Sequence, residues 1–273
     1  MTDAAGRGYI GGGSIAAILG LSPFSSPLQA YLEITGEMPQ EITPEQAEFF
    51  EDRRDLEPWA AKKFTRKTGL RIVRQNVRYD DASFSWAKAE IDFEPENDSN
   101  GETKSVNQHA AWRWGDPDSE EPPYYVTAQG MWGMGVRPAE RCYVQALIGF
   151  DDHRIYVVER NDELIADIRE HARRFWEHYV VPRRQPAPTT DDDVKRLYKR
   201  DSGRSVEAST AVQLALAERD KAVRAIKLHK NHKKLQELEI QLYMRDATTL
   251  TVGGMDVASW RARTDGVRVF RVR

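Results

Sequence analysis

The stretch from Phe84 to Val106 constrains the fold of this 273-residue chain more than any other. Apolar and polar residues alternate from Phe84 to Ile91, which is the pattern of a half-buried strand. The segment from Asp92 to Gly101 is rich in turn-forming residues, so the chain is predicted to double back there. A second strand is expected to continue to Val106, and a hairpin at this position requires a sheet in the core.

The hairpin carries a small polar cluster. It would bring Asp92 beside Glu102, and because alternate side chains share one face of a strand, Glu102 and Lys104 would point the same way. Thr103 would point the other way, with its main-chain carbonyl between the polar groups. Carboxylate oxygens suit Mg²⁺ or Mn²⁺, and a nearby lysine can hold an attacking water or offset negative charge. The pattern therefore indicates metal-assisted phosphodiester hydrolysis, with a solvated hairpin tip as the alternative.

Composition excludes several classes of protein. Formal charge is −3 with a pI near 6.1, so no overall basic field indicates a nucleic-acid partner. The single cysteine, Cys142, excludes an intramolecular disulfide and any all-cysteine zinc or iron–sulfur site. No apolar run approaches the ~20 residues of a membrane span, and the N-terminus lacks a signal-peptide pattern. We therefore expect no membrane partner and a cytoplasmic location.

Helices and strands alternate along the first two thirds of the chain. Helices are predicted at Ser14–Leu19, Pro27–Thr35, Thr43–Thr68, Tyr124–Val136 and Asp162–Val181, and further strands at Leu70–Tyr79, Cys142–Phe150 and Arg154–Val158. Pro58 leaves open a break in the third helix, with a second helix beginning near Leu56. This order predicts an α/β core, residues 1–181, in which helices flank a mixed central β-sheet.

The rest of the chain reads as an appendage to that core. Residues 182–204 begin with a proline-rich stretch and are predicted to be a linker. Residues 205–273 are predicted to form a helical segment plus a small β meander, packed on the core or extending it. Ser205 to Met244 contains no proline or glycine and many lysines, which favours a long solvated helix or helical hairpin over a DNA-binding arm. Thr248 to Arg273 has the turn-separated β pattern of a meander.

Several motifs in order along the chain resemble one known family. They are Arg7 to Phe24, Leu56-Glu57-Pro58, Asp92, Glu102-x-Lys104 and Gln129. Together they resemble the YqaJ-like viral recombinases, the lambda-exonuclease group of PD-(D/E)xK nucleases. The resemblance covers roughly residues 7 to 180 and implies a restriction-endonuclease-like core.

The resemblance also implies roles for individual residues. The positions that match the family's catalytic residues are Asp92, Glu102, Lys104, Glu57 and Gln129. Asp92 and Glu102 would bind the catalytic metal with the carbonyl of Thr103, and Lys104 would assist the attack. Glu57 would help to hold a second ion. Glu51 is a rival for that last role, but Leu-Glu-Pro matches the family better.

Two N-terminal residues match a substrate site. The resemblance implies that Arg7 and Ser14 hold the 5′ phosphate of the strand being digested. Ser14 is expected at a helix N-terminus, where amide donors and the helix dipole favour an anion. The alternative is that Ser14 only caps its helix, and both can hold together.

The function implied by the resemblance is a Mg²⁺-dependent 5′-to-3′ exonuclease, with Mn²⁺ able to replace Mg²⁺. It would resect one strand of double-stranded DNA for single-strand annealing recombination. Its partners would be double-stranded DNA ends, its own copies in a ring trimer, and a single-strand annealing protein, in a bacterial or phage-infected cell. The alternatives are an endonuclease of the same fold and a catalytically inactive DNA-binding or assembly protein. Mutually repelling carboxylates at Asp92 and Glu102 argue against the inactive protein.

Overall fold

A computed structural model describes residues 6–37, 43–116, 120–149, 151–264 and 266–272. Contacts divide the chain into two compact units, Met1–Arg200 and Asp201–Arg273. The described residues include no helix long and apolar enough to span a bilayer.

The first unit is built on a five-stranded sheet in which the strands follow one another in chain order. The strands are β1 Ile72–Asp80, β2 Lys88–Pro95, β3 Asn100–Val106, β4 Arg141–Ile148 and β5 Asp152–Glu159. Only β3 and β4 are parallel among these neighbours, so the sheet is mixed, as predicted. A parallel pair needs a crossover connection, and this one passes through a helix that contacts both strands.

Helices cover the sheet of the first unit. They are α1 Gly12–Ile18, α2 Pro27–Thr35, α3 Pro44–Thr68, α4 Tyr124–Val136, α5 Asp162–Phe175 and α6 Asp191–Leu197, with a 3-10 helix at Gln108–Trp114 and a π-helical turn at Trp176–Val180. The bounds of α2 and α4 are those that the sequence predicts. Ser26 caps α2 by accepting a hydrogen bond from the main chain of Gln29, and Pro27 occupies the first helical position.

The main core lies between the sheet and α1, α2, α4 and α5. Its fully buried side chains include Ile15, Leu28, Trp132 and Val144. Burying each such side chain contributes about 1.5–3 kcal/mol to folding. Helix α4 is apolar on nearly every side because it contacts α1, α5 and four strands, β2, β3, β4 and β5.

A smaller cluster holds α3 against the sheet. The ring of Phe64 lies 4.8 Å from that of Phe93 and 5.5 Å from that of Tyr143, between ring centroids. Phe93 in turn occupies the space beside Gly101, where a Cβ atom would come within 2.3 Å of its ring. Glycine is therefore required at this point, and the close approach fixes β2 against β3.

Helix α3 runs unbroken from Pro44 to Thr68, close to the predicted bounds, so the break that Pro58 left open does not occur, although an interior proline costs about 3 kcal/mol. Phe64, six residues further on, is fully buried and packs the second half of the helix against the sheet. Residues 182–204, predicted as a linker, contain α6, which begins with a capping box formed by Thr190 and Asp193. Asp193 also accepts a hydrogen bond from Ser26, so this stretch belongs to the first unit up to residue 200.

The second unit consists of one helix and a small sheet. Helix α7 spans Thr210–Met244, and the strands β6 Thr249–Val252, β7 Met255–Ala262 and β8 Arg268–Val272 pair antiparallel in that order. The guanidinium of Arg268 lies 3.7 Å from the ring centroid of Trp260 and donates to main-chain carbonyls just after α7. The predicted long helix and meander are both present.

Candidate active site

The carboxylates of Asp92 and Glu102 face each other across β2 and β3. These strands pair in register at Phe93 and Gly101, which makes Asp92 and Glu102 neighbours across the pair. Asp92 lies inside β2, later in the chain than the predicted strand, which ended at Ile91. The main-chain amide of Thr103 donates a hydrogen bond to Asp92 Oδ2 at 2.8 Å. The predicted hairpin is therefore formed, and it makes Asp92 and Glu102 neighbours, as the sequence predicts.

Lys104 joins the hairpin to helix α4. Its Nζ lies 2.7 Å from Glu102 Oε1 and donates to Gln129 Oε1, also at 2.7 Å. Gln129 packs in turn against the first residue of α1, because a Cβ atom on Gly12 would lie 3.1 Å from its Cγ. Three separate elements thus fix the position of the lysine ammonium group.

Charge is unequally balanced in this cluster. Burial raises the pKa of the Asp92 carboxyl well above its ordinary value, and the charge of Glu102 raises it further. Burial by itself would lower the pKa of Lys104, but Glu102 and Asp92 together outweigh burial, and the net pKa is raised. Lys104 therefore stays protonated, while Asp92 lacks a full countercharge. A cation bound beside Asp92 would relieve this imbalance.

A cleft of about 140 Å³ opens beside Asp92. Its lining residues are Glu57, Gln75, Asp92, Phe93, Thr103, Ser105 and Gln145. Glu57 accepts a hydrogen bond from Asn76 Nδ2 at 2.8 Å, so its carboxylate is held at the edge of the cleft. Its rival, Glu51, is exposed on α3. The geometry thus favours Glu57 over Glu51 as the third acid of the site.

Gln145 is a site residue that the sequence analysis missed. It pairs with Thr103 in the register of β3 and β4, and its Nε2 donates to Thr103 Oγ1 at 2.8 Å. The side chain is 1% exposed, and its Oε1 has no hydrogen-bond partner within the described structure. An orphaned buried oxygen is costly, and here it belongs to a residue that lines the cleft. The sequence feature that could have indicated Gln145 is that it is the single amide side chain in the apolar run of β4.

The oxygen groups present fit a hard divalent cation. Two carboxylates and one main-chain carbonyl, those of Asp92, Glu102 and Thr103, match the few protein ligands that Mg²⁺ usually takes before water completes its shell. Among the described residues, no three His, Cys, Asp or Glu side chains are grouped closely enough to hold a metal ion by themselves. The donor set thus suits an ion that also keeps water and substrate oxygens, and not one enclosed by side chains.

The two expected phosphate-binding residues occupy different environments. Ser14 lies in the first turn of α1 and is 3% exposed, and its Oγ has no hydrogen-bond partner in the part of the chain described. The side chain of Arg7 is half-exposed, and its Nη2 lies 3.8 Å from Glu33 Oε2, which is a long ion pair. Ser14 therefore has a free hydroxyl. The main-chain amide of Arg7 donates to the carbonyl of Glu33 at 3.1 Å, so its backbone is held while its guanidinium has only the long ion pair among the described residues.

The fold resembles that of solved exonucleases. The crystal structure of LHK-Exo in complex with dAMP matches with a TM-score of 0.50 at 17% identity, over 72% of this chain and 96% of that one. The structure of the alkaline exonuclease LHK-Exo from Laribacter hongkongensis matches with a TM-score of 0.48 at 18% identity, over 64% and 89%. The mixed sheet with its flanking helices is the restriction-endonuclease-like fold. Together with the carboxylate–lysine cluster, it defines the class of the protein, a restriction-endonuclease-like fold that carries a candidate hydrolytic site.

Sequence comparison identifies the family within that class. The family described as the YqaJ-like viral recombinase domain matches residues 4–140, just over half of the chain. The chain belongs to this family. A relative described as "Uncharacterized protein YqaJ", from Bacillus subtilis (strain 168), is 26% identical over 266 residues, which are 93% of this chain and 81% of that protein.

Proposed function

We propose that the protein is a Mg²⁺-dependent 5′-to-3′ DNA exonuclease that resects one strand of double-stranded DNA for single-strand annealing recombination. The observation that carries the hydrolytic part is the convergence of Asp92, Glu102 and Lys104 on one hairpin, with Asp92 short of countercharge. Membership of the YqaJ-like viral recombinase family supports the role in recombination.

Each residue of the cluster would have a separate task. Asp92, Glu102 and the carbonyl of Thr103 would hold Mg²⁺, or Mn²⁺ in its place, and Glu57 would serve a second ion from the edge of the cleft. When bound, the metal would lower the pKa of a water and stabilise the leaving oxygen. Lys104, fixed by Glu102 and Gln129, would orient the attacking water.

The 5′-to-3′ direction of digestion would come from a 5′-phosphate pocket formed by Arg7 and Ser14. The buried, unpaired hydroxyl of Ser14 supports a ligand at this position, because such a group is costly unless something binds it. The half-exposed guanidinium of Arg7 can leave its long ion pair with Glu33 for a phosphate, which it binds more strongly.

The proposed setting is carried over from the resemblance to the family. Double-stranded DNA ends would be the substrate, a ring trimer of this chain the assembly, and a single-strand annealing protein the partner, in the cytoplasm of a bacterial or phage-infected cell. A ring would let the enzyme stay on one strand as it advances.

Cleavage of end-labelled linear duplex and of closed circular duplex, with and without Mg²⁺, tests this function. We expect digestion of the linear DNA only, from the 5′ end and only with Mg²⁺. Glu102→Gln should abolish it, while Glu140→Gln, which neutralises an exposed carboxylate, should leave it unchanged. Cutting of the closed circle would show the endonuclease alternative. Binding without cleavage of either DNA would favour the inactive assembly protein.

A further inference from the structure

Helix α7 carries a concentrated positive charge that the site does not use. Residues 222–234 contain five Lys or Arg and no Asp or Glu, whereas the whole chain has a net charge of −3. Every residue in this segment is exposed. Solvated helices usually alternate the sign of their charges and gain i,i+4 pairs, but here Lys227 and Lys230 have only like charges or neutral residues three and four positions away. Such an arrangement destabilises a helix unless an anion compensates it.

The unpaired cations of this segment lie on one face of the helix. Lys233 pairs with Glu237 at 3.4 Å, but the described structure has no carboxylate at ion-pair distance from the other four cations. These four are Arg224, Lys227, Lys230 and Lys234. At 100° per residue they fall within an arc of about 120°, whereas Lys233 falls outside it. We call this arc the basic face.

The composition of the basic face decides what it can bind. Between positions 224 and 234, the only other residue on this arc is Asn231, which is a hydrogen-bond donor. The nearby exposed apolar residues Ile226 and Leu228 lie off the arc, and within residues 222–234 the one exposed apolar residue on it is Val223, at its N-terminal end. An apolar surface therefore has little to contact on this face. A second copy of the same face would be repelled. A polyanion is the ligand whose chemistry fits.

The length of the basic face also suits a nucleic acid. Ten residues of α-helix rise about 15 Å, a distance over which duplex DNA presents about nine phosphate charges. Four cations and an amide could contact several of these phosphates without reading any base, since backbone contacts carry no sequence information. The Lys and Arg side chains are long enough to follow the backbone.

We propose that the basic face of α7 is a DNA-binding site that contacts the sugar–phosphate backbone and is distinct from the cleavage site. The proposal rests on the proposed function for its substrate, DNA. The basic face supplies affinity for the substrate and takes no part in the hydrolysis. The residues that form it are Arg224, Lys227, Lys230, Asn231 and Lys234.

The test compares two full-length variants that lose the same charge. The face variant carries Arg224→Gln, Lys227→Gln, Lys230→Gln and Lys234→Gln. The control variant carries Arg219→Gln, Lys221→Gln, Lys233→Gln and Arg261→Gln, at exposed positions off the basic face. Binding of a fluorescent blunt-ended duplex is measured by anisotropy in EDTA, across a range of salt concentrations, so no cleavage occurs. Circular dichroism verifies that both variants keep their helix content.

We expect the face variant to bind the duplex about ten- to a hundredfold more weakly at moderate salt, with the slope of log K against log salt reduced by about 3. The control variant should lose less than about threefold. Equal losses in the two variants would overturn the proposal, because only net charge would then matter. Unchanged DNA binding by the face variant would also overturn the proposal. A change in its binding to phosphatidylserine vesicles, or in its subunit number by light scattering, would then show that the basic face contacts a membrane or another copy of the chain.

Cleavage in Mg²⁺ separates this proposal from the proposed function. With protein in excess over DNA at low salt, the face variant should digest the bound duplex at the wild-type rate, since its cleavage residues are intact. A wild-type protein that binds DNA through the basic face but cleaves none would refute the exonuclease alone. A face variant that bound normally and cleaved normally would refute the basic face alone.

Discussion

Gln145 donates a hydrogen bond to the hydroxyl of Thr103 at 2.8 Å, and the main-chain amide of Thr103 donates to Asp92 at the same distance. Thr103 is the residue whose carbonyl is proposed to bind the metal. The neighbouring strand β4 therefore fixes the proposed ligand through one side chain. Gln145 is a positioning residue in this arrangement.

Gln145→Ala should weaken the binding of Mn²⁺ to the DNA-free protein by about two- to tenfold, the value of one lost hydrogen bond. Isothermal titration calorimetry measures this directly and does not depend on activity. Gln75→Ala is the matched control, because it removes an amide from the same cleft without touching Thr103. If both variants bind Mn²⁺ as the wild type does, Gln145 has no positioning role.

Asp92→Asn should stabilise the metal-free protein at high pH. Well below pH 4 Asp92 is protonated in the folded and unfolded chain alike, so its ionisation costs nothing. Because its folded-state pKa is raised, the unfolded chain loses this proton first as the pH rises, and the free energy of unfolding falls until the pH passes the folded-state pKa. The substitution removes this cost.

Thermal melts in EDTA at pH 4 and pH 9 measure that effect. The Asp92→Asn protein should melt a few degrees above the wild type at pH 9, since ~1 kcal/mol shifts the Tm of a chain this size by about 2–4 °C. At pH 4, which is close to the unfolded-state pKa, most of this difference in Tm should be gone. Glu140→Gln, at an exposed carboxylate, should show no such difference. A lower Tm for Asp92→Asn at pH 9 would mean that its contact with Thr103 outweighs the burial of charge.

Ca²⁺ should support DNA binding but little cleavage. Its longer bonds and looser shell hold a water and a phosphate less well for in-line attack than the octahedral shell of Mg²⁺ does. Digestion of labelled duplex in Ca²⁺, after removal of Mg²⁺ by chelation, should be slower by at least about a hundredfold. Rapid digestion in Ca²⁺ would count against the proposed ligand set.

A duplex with 5′ phosphates should be digested faster than one with 5′ hydroxyls, and Arg7→Ala should erase most of the difference. A charge-assisted contact with phosphate is worth about 1.5–3 kcal/mol, which is roughly ten- to a hundredfold in rate. Arg71→Ala is the control, because Arg71 is also exposed and paired with one glutamate, Glu96. Equal rates on both ends in the wild type would leave the nuclease without its proposed 5′ polarity.

Local pattern was enough to predict much of this protein. Alternation and turn residues located the hairpin of β2 and β3, helical periodicity with capping residues predicted the bounds of α2, and an apolar run predicted those of α4. These signals are local, because strand period, helix period and caps are properties of neighbouring residues. Asp92, Glu102 and Lys104 could be grouped from the sequence because one hairpin holds all three.

Tertiary contacts decided the rest. The contact of Phe64 with Phe93 holds α3 against the sheet, and the hydrogen bond between Ser26 and Asp193 joins the predicted linker to the first unit. Gln145 escaped prediction because it reaches Thr103 from a strand 42 residues away. The sequence by itself determined which residues could do chemistry and where the local elements lie. The tertiary structure decided which of these residues meet, because packing across the sheet depends on contacts between segments that are distant in the chain.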